Sequence, residues 1–254
     1  MPLTFFETFF TLENSLLLFV ILFFLRFPVL LAVENKLHAY EVKQKKVFWA
    51  DATTAFFYTL IIFPLALQLS NWILTSPLHI PKVDSVPVAV RIFLYFVVGD
   101  FFHYWIHRLM HLQLFWRVHM WHHSPAHMSW LAGFRATLFD AILVNFAFIL
   151  AWPLLGGVSE QTKLLLLLLG ILINDWMHLN IRLRFRFLEK FFITPRYHHI
   201  HHSTNMKLAT KNFAAIFPIW DKIFGTYVDP SVAPKELTFG LSGKRSTLRL
   251  ISGV

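Results

Sequence analysis

The chain has 254 residues, 56% of them hydrophobic, with 29 phenylalanines and a formal net charge of +9. A mean hydropathy of +0.55 argues against reading that charge as a nucleic-acid footprint; basic residues beside apolar segments instead mark the cytoplasmic side of a membrane protein. Cysteine is absent, which excludes disulfides, iron–sulfur clusters and thiolate zinc sites.

The N-terminus, Met1 to Glu7, lacks the positive region of a signal peptide, so the first apolar segment is expected to stay as an anchor. That segment runs from about Phe9 to Val33, and Arg26 and Pro28 predict a kink or an interfacial end within it. A basic loop with Lys36, Lys43, Lys45 and Lys46 follows. The second segment, about Ala50 to Leu74, is long enough to span and should kink at Pro64. A connection over Thr75–Pro87 leads to a third segment from Val88, which should emerge as the first histidine-bearing helix. A fourth, Leu138 to Leu155, and a short fifth, Leu164 to Ile173, read as a hairpin that need not fully cross. Beyond Arg182, basic residues alternate with Leu183, Phe185 and Phe187, a pattern for an interfacial stretch. The expected fold is all-α: an integral-membrane bundle of about four spanning helices under a histidine-rich helical cap. The whole of 1–254 is expected to form one domain, with 1–99 mainly anchor and 100–240 catalytic. The positive-inside rule puts the Lys-rich loop, the histidines and the basic tail on the cytoplasmic side of a multi-pass protein. A bacterial inner membrane and the endoplasmic reticulum both suit it.

Twelve of the 14 histidines lie between His103 and His202. His103, His107 and His111 fall at i, i+4, i+8, one stripe of a helix. Arg117-Val-His119-Met-Trp-His122-His123-Ser124 recurs as Arg196-Tyr-His198-His-Ile-His201-His202-Ser203. Spacing of i, i+3, i+4 puts three imidazoles on one helical face, and two such faces predict one polynuclear metal site made of two half-sites. Thr194-Pro195 reads as the N-cap and first position of the last helix. Imidazole suits iron, zinc, copper and nickel, and a single zinc needs only about four ligands. Asp100, Asp140, Asp175 and Asp221 are candidates to orient the rings. His199 should point away from its neighbours. Tyr104, Trp105, Trp121, Trp130 and Trp176 either line a substrate channel or pack and anchor.

The ordered elements Asp100-Phe-Phe-His103-Tyr104-Trp105-Ile-His107-Arg108-Leu-Met-His111, His119…His123, His178-Leu-Asn180, His198…His202 and Trp220-Asp221-Lys-Ile-Phe224-Gly225-Thr226 resemble the fatty acid hydroxylase / sterol desaturase superfamily of membrane di-iron oxidoreductases. The resemblance covers about 100–240; Asn212-Phe213-Ala214 departs from the family's N-Y-G. It implies that His107, His111, His119, His122, His123, His178, His198, His201 and His202 ligate two iron ions, with zinc competing for the same nitrogens. His103, Asp100, Asp175 and Asp221 are then supporting groups or extra ligands. It further implies O2-dependent hydroxylation or desaturation of a membrane lipid or sterol-like substrate. No flavin, nicotinamide or haem motif is visible, so electrons should come from a separate cytochrome b5-like protein, ferredoxin or reductase. Two alternatives stay open: a non-enzymatic metal-binding or transport protein, and a relative with ether-lipid-cleaving, aldehyde-forming or carotenoid-hydroxylating chemistry.

Overall fold

The computed structural model describes residues 12–41, 45–73, 80, 82–232, 234, 236–241 and 250–251. The N-terminal heptapeptide, the start of the first apolar segment, Lys43, Leu74 and residues 75–79 and 81 of the 75–87 connection therefore lie outside the described residues. The described residues include ten α-helices: α1 Leu12–Leu37, α2 Lys45–Phe57, α3 Phe63–Ile73, α4 Val88–Met110, α5 Trp116–His119, α6 Leu138–Leu150, α7 Glu160–His178, α8 Pro195–His201, α9 Met206–Ala209 and α10 Ile219–Ile223. Among the described residues there is no β-strand, only one isolated bridge between Ser203 and Phe239. The fold is all-α, as the hydropathy pattern predicts.

Among the described residues, three stretches are long and apolar enough to cross a membrane: Phe48–Ala66, Val88–Met110 and Leu138–Leu155. They match the second, third and fourth segments of the sequence reading, against about four expected. Large apolar side chains face outward along these helices, among them Trp49, Phe56, Leu60, Phe93 and Phe139. Such a belt suits lipid and would be costly against water. The fifth segment is longer than its apolar core: α7 has 19 residues and is capped by Ser159, whose hydroxyl accepts from the Thr162 amide at 3.3 Å. The helix continues through Asn174 and Asp175 to His178, and so carries the apolar run directly into the histidine centre.

One expectation is corrected, the interfacial end within the first segment. α1 does not end at Arg26 or Pro28 but continues to Leu37. Arg26 points inward, not to an interface: its Nη1 donates to Asp175 Oδ2 at 2.5 Å, and its guanidinium lies 4.3 Å from the Phe23 ring and 5.3 Å from Trp130. In the second segment the irregularity is a π turn, Tyr58–Ile62, between α2 and α3, where the Phe63 amide donates to Tyr58 O. Pro64 has no N–H to give and its ring crowds the carbonyl four residues back, so the ladder widens by one residue just before it.

α6 packs against α3 and α4, and α7 packs against α1, α8 and the 3-10 turn Trp130–Phe134. A cluster of Tyr104, Met177, Ile193, Tyr197, Phe213, Ala214 and Ala215 fills the core behind α4 and α8. At 182–192 the interfacial pattern is visible as exposed Leu183, Phe187, Phe191 and Phe192 with Arg184 paired to Glu189.

Candidate metal centre

α4 brings His103 and His107 inward and ends with His111 as its C-cap. The first H-x-x-H-H triplet is not one helical face: α5 stops at His119, and His122 and His123 lie in the turn that follows. The second triplet sits on α8, with Thr194 at the N-cap position, its hydroxyl making no capping bond, Pro195 at the first position and His202 as the C-cap. α7 supplies His178 from its last turn.

These histidines gather into two groups whose nitrogens lie within 4.8 Å of one another: His107, His111, His119, His123 and His201, and His122, His178, His198 and His202. All nine residues implied by the motifs are therefore brought together. The half-site expectation is corrected, because neither triplet serves one group. His119 and His123 join the first group while His122 joins the second; His198 and His202 join the second while His201 joins the first. Each triplet keeps its i and i+4 members together and sends its i+3 member across. Rings interleave at the seam, with His123 stacked on His202 at 4.4 Å and His119 on His122 at 4.8 Å.

The ring nitrogens show what fits between them. His107 Nδ1 donates to Phe213 O (2.7 Å), His178 Nδ1 to Asn174 O (2.8 Å), His201 Nδ1 to Lys211 O (2.8 Å) and His122 Nδ1 to Arg135 O (3.2 Å). A carbonyl only accepts, so the single proton of each neutral ring sits on Nδ1. His119 Nδ1 is aimed at Asp140 Oδ2 at 3.1 Å. That leaves Nε2 of all five as a bare lone pair. Yet His107 Nε2 and His119 Nε2 approach to 3.1 Å, and His178 Nε2 and His122 Nε2 to 3.3 Å. Two lone pairs cannot share a hydrogen bond. Nε2 of His111, His123 and His201 is buried with no partner at all. Converging lone pairs on neutral imidazoles are the donor set of a transition-metal ion. Burial also holds His119, His122, His123, His198, His201 and His202 well below the usual imidazole pKa, in the neutral form that ligates.

Of the four carboxylates, only Asp140 touches a histidine of either group. Asp100, fully buried, accepts the amides of Ala215, Ile216 and Phe217 at 2.8–3.0 Å. Asp221 accepts the amides of Phe213 and Ala214 (2.9 Å each), the Tyr197 hydroxyl (2.7 Å) and the Thr226 hydroxyl (2.6 Å). Both therefore shape the 213–217 loop, and that loop supplies the carbonyl for His107. Asp175 shares a helix face with His178 but is taken by Arg26. Asn212 takes a left-handed φ of 58°, and its side chain ties Tyr197 O, Val228 O and the Val228 amide together. His199 lies outside both groups, beside Tyr40 and Phe239.

A cavity of about 180 Å³ opens from the centre between α3, α4, α6 and α7. His103, His107, His119, His122, His178 and His198 line one part, and Tyr58, Tyr95, Phe148 and Trp152 line others. Tyr95 precedes His107 by twelve positions on α4, about 18 Å along the axis. The tryptophans considered for this role from sequence do not line it: Trp130 packs at 4.8 Å against Phe27, and Trp176 donates to Ile193 O at 2.8 Å. Sequence also missed Gly133, where a Cβ would come within 2.6 Å of His178 Nδ1. It missed Glu34 as well, whose Oε1 accepts the amides of Trp130 and Asn180, each at 2.8 Å.

Fold and site together define a helical, membrane-type protein with a histidine centre able to hold metal. Residues 92–226, more than half of the chain, match the fatty acid hydroxylase family model, and the chain belongs to that family. It is 28% identical over 157 residues to the alkylglycerol monooxygenase of Homo sapiens, covering 61% of this chain and 34% of the relative. It is 31% identical over 173 residues to the ornithine lipid hydroxylase of Rhizobium tropici, covering 63% and 48%. To the methylsterol monooxygenase of Aspergillus fumigatus it is 24% identical over 164 residues, covering 62% and 53%. The matches thus span about a third to a half of these relatives' lengths. No solved structure gives a significant match.

Proposed function

We propose that the chain is an O2-dependent di-iron monooxygenase that hydroxylates a hydrophobic lipid drawn from the bilayer. The observation that carries this is the pair of nitrogen groups, in which five rings have Nδ1 turned to a carbonyl or carboxylate and present bare Nε2 lone pairs to one another. The relatives act, by name, on an alkylglycerol, an ornithine lipid and a methylsterol.

The nine histidines would hold two irons, which supply O2 activation and the transfer of electrons when bound. The balance is one C–H bond, one O2, two electrons and two protons giving one C–OH and one water. The electrons come from a separate donor docked at the basic, cytoplasmic face. The chain's own part is placement. Phe213 O, Asn174 O, Lys211 O and Arg135 O fix the ring orientations of four histidines, and Asp140 fixes a fifth. The apolar cavity excludes water and receives the chain to be oxidised. Because Tyr58 and Phe63 line it, the segment before residue 100 is part of the substrate site as well as an anchor. A transport role would want polar groups strung along several spans, whereas the nine nitrogens close on themselves at the helix ends.

Protein purified without oxygen and supplied with ferrous iron should hold two irons per chain. In 18O2 it should place one labelled oxygen in a lipid product. A single metal per chain, with turnover surviving His198→Ala, would sink the proposal.

A further inference from the structure

We propose that His103 is a substrate-positioning residue that hydrogen-bonds a neutral oxygen of the lipid, an ether, hydroxyl or ester oxygen. The inference rests on the cavity being a lipid site and deepens that reading. His103 continues the stripe of His107 and His111 one turn further from the centre, about 6 Å along α4. Equal spacing does not give it an equal role: its nitrogens belong to neither nitrogen group. It is 8% exposed, its ring centroid is 5.3 Å from His107 and 6.2 Å from Phe148, and it lines the cavity. Its Nδ1 is buried with no hydrogen-bond partner. A buried polar group without a partner is disfavoured, so an unpartnered nitrogen on a ring that lines a cavity marks where a ligand atom belongs.

The cavity wall says which atom. No lysine or arginine lines it among the described residues, and Asp140 does. A phosphate or carboxylate would find no lysine or arginine to pair with and would face a carboxyl group. A neutral oxygen on a long chain meets a ring N–H at His103 and apolar surface from Val144, Phe148 and Ile171 around it. One turn separates that oxygen from His107, so the C–H bonds facing the centre are those within a few bonds of it.

The test uses full-length protein loaded with zinc, so that binding is read without turnover. A pyrene-labelled hydrocarbon bound in the cavity is displaced by 1-O-hexadecylglycerol or by n-octadecane, and zinc per chain is measured in parallel. Wild type should prefer the ether-alcohol by about tenfold, the value of one neutral hydrogen bond. His103→Phe should abolish the preference with octadecane displacement and zinc content unchanged, and His103→Gln should retain most of it. Loss of zinc in His103→Phe would overturn the proposal by making the residue a ligand. Equal weakening of both probes would overturn it by making the residue a packing group, as would an undiminished preference or a wild type that binds neither probe. If the preference vanishes as expected while iron-loaded wild type yields no labelled product, the proposed reaction fails and the His103 site stands.

Discussion

Gly133→Ala should dislodge His178 and empty one of the two nitrogen groups. A Cβ at 133 would lie 2.6 Å from His178 Nδ1, 2.7 Å from Asn174 Nδ2 and 2.9 Å from His178 Cγ. The backbone cannot retreat, because Trp130, Leu131 and Ala132 on the same turn are each 1% exposed. The ring must therefore turn, giving up its 2.8 Å hydrogen bond to Asn174 O. Overpacking of this kind costs about 1–3 kcal/mol, and the lost hydrogen bond adds about 1 kcal/mol. His178 belongs to the four-nitrogen group, which would fall to three. Disturbing the orientation of a ligand lowers metal affinity by about 10–100-fold. The assay is metal titration with competing chelator, alongside thermal unfolding. One metal should bind as in wild type and the second 10–100-fold more weakly. Gly170→Ala is the control, since a Cβ there meets nothing within 4 Å. Two wild-type affinities in Gly133→Ala, or an equal loss in Gly170→Ala, would refute the reasoning.

Other substitutions and conditions probe other parts of the centre. Asp140→Asn should weaken the five-nitrogen group by about 10–100-fold and spare the other, because Asp140 touches His119 alone of the nine, as chelator titration would show. Arg26→Met should destabilise by about 3–5 kcal/mol by stranding buried Asp175, and Arg26→Met with Asp175→Leu should recover most of that in denaturant unfolding. Metal-free protein should lose stability as pH falls below about 6.5. Buried His199, held at about 3, and the buried triplet histidines stay neutral when folded, while the unfolded chain takes up protons. The slope should be about 1.4 kcal/mol per pH unit per histidine, measurable by unfolding at stepped pH. A flat profile from pH 7 to 5 would contradict it.

That nine histidines would gather was legible in the sequence, because motif spacing and order survive without knowing the fold. So were three long apolar helices at the second, third and fourth segments and the Thr194–Pro195 helix start. The division of the triplets between the two groups was not. Periodicity assumes a regular helix, and the first triplet leaves α5 at His119 for a turn. The acceptors that set the tautomers were hidden for a different reason: Phe213, Asn174, Lys211 and Arg135 act through main-chain carbonyls, which no side chain advertises. Arg26 misled because a charge in an apolar run reads as an end of the run, and its partner Asp175 lies 149 positions away.

The crossing of His122 and His201 has a consequence for the chain as a polymer. Metal in the first group would tie residue 119 to residue 201, and metal in the second would tie 122 to 198. The two ties close nested loops of roughly 80 residues; whichever forms first removes on the order of 4.5 kcal/mol of unfolded-chain entropy by the cross-link relation, and the other, closing only the few residues left between them, adds far less. A chain without cysteine would thus be stitched twice across the same interval, and opening either stitch alone would leave the ends of the loop held together.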